Sequence, residues 1–357
     1  MKGERMGGTG ETRYVCCIPR GCGFNDTLCQ IWLSWCYARS TGRRLIIDTR
    51  LSGLADDFSE LMTVRDPMHP IRLNLNSDIL DLLNSLTCHP REIEGKIHML
   101  HYRFAVQPPR DPSWTVYQRR LSYYGNLTRY ALFPPSDYSS IGGRALLKYE
   151  WASRTGRVHL NAVNERTEEV VVHHQSGGGE DSLMALGLFV LKPSIGAKIQ
   201  NQLSVTGSSY DAIHVRNTDY STNYISFLKS LRRQLSGARV LICSDAPEVF
   251  WSAQEILSDS DVFALKETTR SHTPVTNRKP LHYQWGLPLE ERRRRNIAML
   301  SDLVGLARAK RLFISHLTSG GCRGYSGFSL LASNLHKNPQ VLQAWFQSSN
   351  LQQSHMS

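Results

Sequence analysis

The chain has 357 residues, of which 41% are hydrophobic and 20% charged, a balance that fits a globular protein and excludes a disordered one. That length exceeds what one hydrophobic core usually serves, so two domains are expected. The formal net charge of +11 keeps nucleic acid, anionic membrane surfaces and phosphorylated substrates as candidate partners, whereas no apolar run of about 18 residues is present to span a membrane.

Residues 1–12 are Gly-rich and polar and lack the apolar stretch of a secretory signal, so they read as a disordered start, with a cytoplasmic location as the default. Arg13 to Ile18 reads as a short strand. A glycine loop follows, Arg20-Gly21-Cys22-Gly23-Phe24, and Asn25 or Asp26 is expected to cap a helix running to about Ser40. Leu28, Ile31, Trp32, Trp35 and Cys36 recur there at helical spacing, and Gly42 stands where a helix ends on a glycine. With a strand over Arg44 to Asp48, this is a βαβ unit and predicts a parallel sheet.

Prolines at 67, 70, 90, 108, 109, 112, 134 and 135 break the next stretch. Lys96 to Leu100 reads as strand-like, and His89-Pro90-Arg91-Glu92 and Pro109-Arg110-Asp111-Pro112 read as turns. Gly177-Gly178-Gly179 is expected to open a helix over Ser182 to Leu191, with Pro193 as a junction and a helix from about Ser194 to Leu203. From Tyr210 the alternation is clean: strand 210–216, helix 221–235, strand 238–243, helix 246–257, strand 261–265, helix 290–309, strand 311–315 and helix 326–336. The predicted fold class is α/β, with two Rossmann-like domains over 13–192 and 193–345 and a frayed polar tail over 346–357. A ligand is expected in the cleft between the domains, where the loop at Gly21 to Phe24 and the segment His214 to Asp219 would face each other.

His214-Val215-Arg216-Asn217-Thr218-Asp219 gathers an imidazole, a guanidinium and a carboxylate at the carboxyl end of a strand, where open α/β sheets bind ligands. Alternation puts His214 and Arg216 on one face and Ile213 and Val215 on the other. Arginine suits a phosphate because its planar fork donates two parallel hydrogen bonds. An Arg216–Asp219 structural ion pair is the alternative to a ligand role. Asp245, in Cys243-Ser244-Asp245-Ala246-Pro247, is either a helix cap (as is Ser244) or an acceptor for sugar hydroxyls or loop donors. Ser326-Gly327-Phe328-Ser329 opens a helix and offers backbone N–H groups and hydroxyls to an anion.

Other signals carry less. Gly21 and Gly23 belong to only part of a dinucleotide fingerprint, since position 26 is Asp, and no phosphate-binding G-x-x-x-x-G-K-[ST] occurs. Asp259-Ser260-Asp261 reads as a turn, and the eight cysteines form no pair of C-x-x-C motifs, so no metal is expected and the thiols read as reduced and mostly buried. His98-x-x-His101 and His173-His174 read as satisfied histidines. Arg292-Arg293-Arg294-Arg295 after Glu290-Glu291 reads first as an exposed helix start with i,i+4 pairs, then as a contact for phosphate or membrane.

Gly23-Phe24-Asn25-Asp26 followed by Ala38-Arg39-Ser40-Thr41-Gly42-Arg43-Arg44-Leu45-Ile46-Ile47-Asp48 resembles the opening of the rhizobial nodulation fucosyltransferase. His214-Val215-Arg216-x-Thr218-Asp219 resembles the motif of the eukaryotic α1,6-fucosyltransferases, and Ser244-Asp245-x-Pro247, Asp302 and Ser326 to Ser329 follow in the same order. The resemblance implies a GT-B-like fold, GDP-fucose as donor and no metal. It implies that Arg216 contacts the β-phosphate, that His214 and Asp302 lie near the guanine, that Asp245 is near the donor and that Ser326, Gly327, Phe328 and Ser329 hold nucleotide or phosphate. Gly21, Gly23, Phe24 and Asn25 join the candidate binding residues from the acceptor-side half. One departure stands out: Tyr220 to Tyr224 contains no carboxylate where that family keeps its base, which leaves Asp219 as the fallback base.

The expectation is an inverting, metal-independent glycosyltransferase moving fucose or a related sugar from a GDP-sugar to a glycan hydroxyl. A lipid-linked oligosaccharide at the inner membrane face would be one acceptor. A catalytically silent sugar-nucleotide or glycan-binding module is the alternative, motivated by the missing carboxylate. A nucleic-acid binder rests on charge alone and lacks stacking, zinc-finger and helix-turn-helix signatures, so no nucleic acid is expected as partner.

Overall fold

The computed structural model describes residues 12–347 apart from 20, 90, 99, 101–137, 142–143, 148–150, 153–156, 159–165, 175–176, 219, 266–286 and 319–323; for residue 92 and the strands between 138 and 158 only the backbone is described. The expected disordered start and frayed tail therefore lie almost wholly outside the described residues.

The first half follows the βαβ reading. Strand β1 (Tyr14–Cys17) leads through the glycine loop into α1 (Phe24–Ser40) and back into β2 (Arg44–Ile47), parallel to β1. Short strands β3 (Met62–Val64) and β4 (Ile71–Arg72) precede α2 (Ser77–Asn84) and β5 (Cys88–His89). Two backbone hairpins follow, β6 (Tyr138–Ile141) with β7 (Arg144–Leu147) and β8 (Trp151–Ala152) with β9 (Arg157–Val158). Then β10 (Val170–His173) joins β1 on the side away from β2, giving a five-stranded parallel sheet in the order β4-β2-β1-β10-β5. Gly42, at φ 64°, ends α1 as expected. The helix starts on Gly23 with no side-chain cap, because Asn25 and Asp26 already lie within its first turn.

Two local expectations are corrected. Residues 97–98 form a turn rather than a strand. The helix expected over Ser182 to Leu191 is only α3 (Ser182–Leu186); after Gly187 the chain turns into β11 (Phe189–Leu191), antiparallel to β3. Phe-Val-Leu is good strand sequence, and its partner lies far away in sequence, so local periodicity could not show the pairing.

Past α4 (Pro193–Leu203) the second half follows the predicted alternation within one to three residues. Strand β12 (Asp211–Val215), α5 (Tyr224–Leu235), β13 (Arg239–Ser244), α6 (Pro247–Ile256), β14 (Asp261–Phe263), α7 (Leu289–Arg308), β15 (Leu312–Ile314), α8 (Gly327–Lys337) and α9 (Pro339–Phe346) come in order. The four strands form a parallel sheet in the order β14-β13-β12-β15. Ile213 and Val215 pack beneath α5 and α6, while Ala212, Leu241 and Cys243 face the opposite way. That opposite face joins one apolar cluster continuous with Val15, Cys17, Leu45 and Val171 of the first sheet, through residues of α1, α4, α7 and α8. Gly305 lets α7 approach closely, since a β-carbon there would sit 2.9 Å from Leu241 Cδ2. Among the described residues no helix is long and apolar enough to cross a membrane.

Candidate functional site

At the carboxyl end of β12, His214 looks toward α8, and Arg216 follows one residue beyond the strand. His214 lies in register with Cys243 and is 5% exposed. Its Nδ1 stands 2.7 Å from Ser329 Oγ, and its ring lies 5.2 Å from that of Phe328. Ser326 caps α8, accepting from the Ser329 backbone N–H at 3.1 Å, and its hydroxyl meets Ser329 Oγ at 2.7 Å. The imidazole is therefore wired to the N-terminus of the helix read as an anion site. Burial, with the Arg216 charge beside it, lowers the His214 pKa to about 3, so the ring is neutral in the folded chain.

Asp245 is the hub of the next layer. Its Oδ1 accepts the Asn217 backbone N–H at 2.8 Å, and its Oδ2 accepts the Thr218 hydroxyl and lies 2.8 Å from Arg216 Nη1. Its side chain is 5% exposed and that of Arg216 15%. The cap reading for Asp245 and Ser244 is thus corrected: Ala246 occupies the cap position without a side-chain bond, and the Asp245 carboxylate gathers the loop donors instead. Arg216 has an acid beside it, as the structural alternative required, but that acid is Asp245. Asp219 lies outside the described residues.

Asp302, on α7, is partly buried and hydrogen-bonded to the Cys243 thiol; burial raises its carboxyl to about 7, with that bond pulling the other way. Cys243 is the in-register neighbour of His214, so Asp302, His214 and Ser329 converge on one face of the sheet.

The first sheet's edge is organised differently. Gly21, at φ 52°, donates its N–H to Leu51 O at 2.8 Å. Phe24 is in the core and Asn25 is 3% exposed. Asn25 accepts from Ser182 Oγ at 2.6 Å and donates to Gly179 O at 3.3 Å, so both side chains are engaged by the protein itself. His173 Nε2 meets Gln30 Oε1 at 2.7 Å, and His174 Nδ1 meets Ile18 O at 2.9 Å.

The two edges meet here. A β-carbon on Gly178 would lie 2.0 Å from Asp26 Oδ1, and one on Gly327, the first residue of α8, 2.6 Å from Asn25 Nδ2. The start of α1 is therefore pressed against the start of α8, and both glycines are needed for that approach. Sequence reading missed this seam, although the glycine run at 177–179 and the Gly of Ser326-Gly327-Phe328-Ser329 were its visible trace. It also missed the reach of the arginine cluster: Arg294 and Arg295 pair with Glu291 as expected, but Arg293 pairs with Asp56 at 3.0 Å and Glu60 at 3.1 Å, and Arg292 donates to Ala55 O. Asp259 and Asp261 form surface ion pairs with Arg232 and Arg239. Among the described residues no group of three or more His, Cys, Asp or Glu side chains is arranged to hold a metal. The described cysteines are free thiols, buried except Cys36.

No protein-family model matches the chain, and no characterised protein matches it in sequence. Its fold does have solved counterparts. The structure is similar to that of the fucosyltransferase NodZ from Bradyrhizobium, with a TM-score of 0.52 at 18% identity, covering 91% of this chain and 92% of that one. A NodZ alpha-1,6-fucosyltransferase co-crystallized with GDP matches at 0.51 and 18% identity over 91% of this chain and 92% of that chain. One soaked with GDP-fucose matches at 0.51 and 17%, over the same shares of 91% and 92%. The α/β arrangement, with its two parallel sheets in this order along the chain, is thus the fold of those glycosyltransferase structures.

Proposed function

We propose that the chain is a glycosyltransferase that takes fucose, or a related sugar, from a GDP-sugar and transfers it with inversion to a glycan hydroxyl, without a metal. The observation that carries this reading is the coupling of the β12 end to the α8 start through His214 and Ser329, in a fold like that of structures co-crystallized with GDP and soaked with GDP-fucose.

The chemistry follows from the residues. As the glycosidic bond breaks, the leaving diphosphate gains charge, and fixed cationic or N–H donors aimed at it lower the barrier. Arg216 is held in place by Asp245, so its orientation is set before a ligand arrives. The Ser326 cap and the His214–Ser329 contact fix the first turn of α8, whose backbone N–H groups are the second source of positive potential. A neutral His214 does not compete with Arg216 for the phosphates. The net charge of +11 also suits an acceptor presented at an anionic membrane face, such as a lipid-linked oligosaccharide.

The test is transfer from GDP-fucose in EDTA to a panel of glycan acceptors, with released GDP as readout. Arg216→Ala is expected to lower turnover by on the order of 100-fold or more. Saturable GDP binding without turnover in the unmodified chain would favour the catalytically silent module. A second measurement addresses the guanine. If ionised Asp302 accepts from the base, GDP affinity rises with pH by up to about tenfold per unit until pH 7, its raised value, and then levels. Asp302→Asn is expected to flatten that profile, measured as GDP Kd between pH 5.5 and 8.

A further inference from the structure

A groove of about 440 Å³ lies between α4 and α7, closed on one side by Glu60 and Leu61. It shares no residue with the His214–Asp245–Ser329 network. Besides the carboxylates of Glu60 and Glu290, both paired with Arg293, three kinds of surface meet in it.

The first is cationic. Lys192, at the start of α4, and Lys198, on its second turn, both line the groove, and among the described residues neither ammonium is held in an ion pair or hydrogen bond. The two arginines that also line it are engaged, Arg293 by Asp56 and Glu60 and Arg294 by Glu291. The first turn of α4 contains no acidic residue, so its N-terminal potential adds to the lysines. The second surface reads hydroxyls: Ser194, Asn201 and Gln202 line the groove. The third is apolar: Leu61, Ile195 and Ile297 are buried side chains in the lining.

Ammoniums for an anion, amides and a hydroxyl for hydroxyl groups, and an aliphatic floor for a C–H face describe one ligand chemistry. We infer that this groove binds an anionic sugar, a pyranose carrying a phosphate or carboxylate. The volume falls in the range of small-ligand pockets and suits one or two sugar rings. Such a unit would come either from an anionic residue of the acceptor glycan or from a free sugar phosphate. The inference does not rest on the nucleotide reading, because the groove is separate from the residues assigned to GDP.

Titration of the intact chain by calorimetry or NMR decides it, with glucose 6-phosphate, digalacturonate, glucose and inorganic phosphate as probes and GDP as a control. At least one anionic sugar is expected to bind with Kd of about 1 mM or tighter, and glucose and inorganic phosphate at least about tenfold more weakly. Lys192→Gln combined with Lys198→Gln is expected to weaken the anionic sugar about tenfold or more and to leave GDP affinity unchanged. Tighter binding of digalacturonate assigns the site to the acceptor chain, and tighter binding of glucose 6-phosphate to a free ligand. The inference is overturned if neither anionic sugar binds, if glucose or inorganic phosphate binds as well as they do, or if the double variant binds them like the unmodified chain.

Discussion

The two sheets share an architecture but differ in what the polar side chains at their carboxyl edges hold. On the first edge many polar groups hold backbone: Asn25 donates to Gly179 O, Gln30 to Gly177 O and Thr49 to Asp56 O, beside side-chain pairs such as Asp48–Arg50 and Ser182–Asn25. On the second, side chains hold other side chains: Asp245 gathers Arg216 and Thr218, and Ser326, Ser329 and His214 form a chain. A backbone-bound edge gives loops their shape. An edge of mutually oriented side chains presents functional groups in fixed directions, which is what recognition of a charged ligand needs. The difference makes the second edge, rather than the first, the one whose side chains are arranged for such recognition.

Acidification is the strongest way to probe that contrast, because each edge buries a histidine whose pKa burial lowers. Burial lowers His173 to about 4 and His214 to about 3, both below the ordinary value near 6.5. The unfolded chain therefore binds protons that the folded chain refuses. The histidine contribution is fully present above about pH 6.5 and is lost as pH falls through the window below it, with a limiting slope on the order of 2.7 kcal/mol per pH unit for two groups; the Asp302 carboxyl, raised to about 7, takes up its proton in the folded chain over the same window and offsets about half of that. Urea midpoints measured between pH 7 and 4.5 should fall, and should fall more steeply in Asp302→Asn. His173→Gln and His214→Gln should each remove about half of the histidine contribution. A slope unchanged by either substitution would remove the parallel between the edges.

Next in size is the removal of one hub from each edge. Asp245→Ala strips the partner from a largely buried guanidinium and from two further donors, and is expected to cost about 3–5 kcal/mol by urea denaturation. Asn25→Ala removes a neutral side chain and its hydrogen bonds to Gly179 O, Ser182 and Asp26, and is expected to cost about 1–3 kcal/mol. Equal losses would erase the distinction between a charged hub and a loop staple. The seam gives the smallest effects. Gly178→Ala and Gly327→Ala each force the Asn25–Asp26 pair to move, at about 1–3 kcal/mol. Because both crowd the same two side chains, the double variant should cost less than the sum, a coupling that a double-mutant cycle reads directly. Additive losses would show that the two glycines do not share one contact.

Much of this was legible in the chain. The alternation from Tyr210 onward is local, so strand and helix bounds were readable, and the period of two set His214 apart from Ile213 and Val215 before any coordinates. Helix punctuation was readable where it is local as well, as at Gly42. What was hidden depends on distance along the chain. Arg293 meets Asp56 from more than 200 residues away, and nothing in an Arg-rich helix start signals that. Phe189 to Leu191 becomes a strand only because β3 is there to pair with it. Asp245 looked like a helix cap because it precedes Pro247; its actual partners sit on the loop after a different strand. Caps and ion pairs compete for the same carboxylates, and tertiary geometry decides between them.

The apolar cluster that runs unbroken from Val15 to Leu241 has a mechanical consequence. Two lobes joined only by a linker can swing apart, whereas lobes that interlock through α1, α4, α7 and α8 are geared together, and any wide rocking would wet the teeth of the gear. If the chain handles a nucleotide and a sugar chain as proposed, their passage would be a matter for the peripheral loops, with the frame between them staying shut.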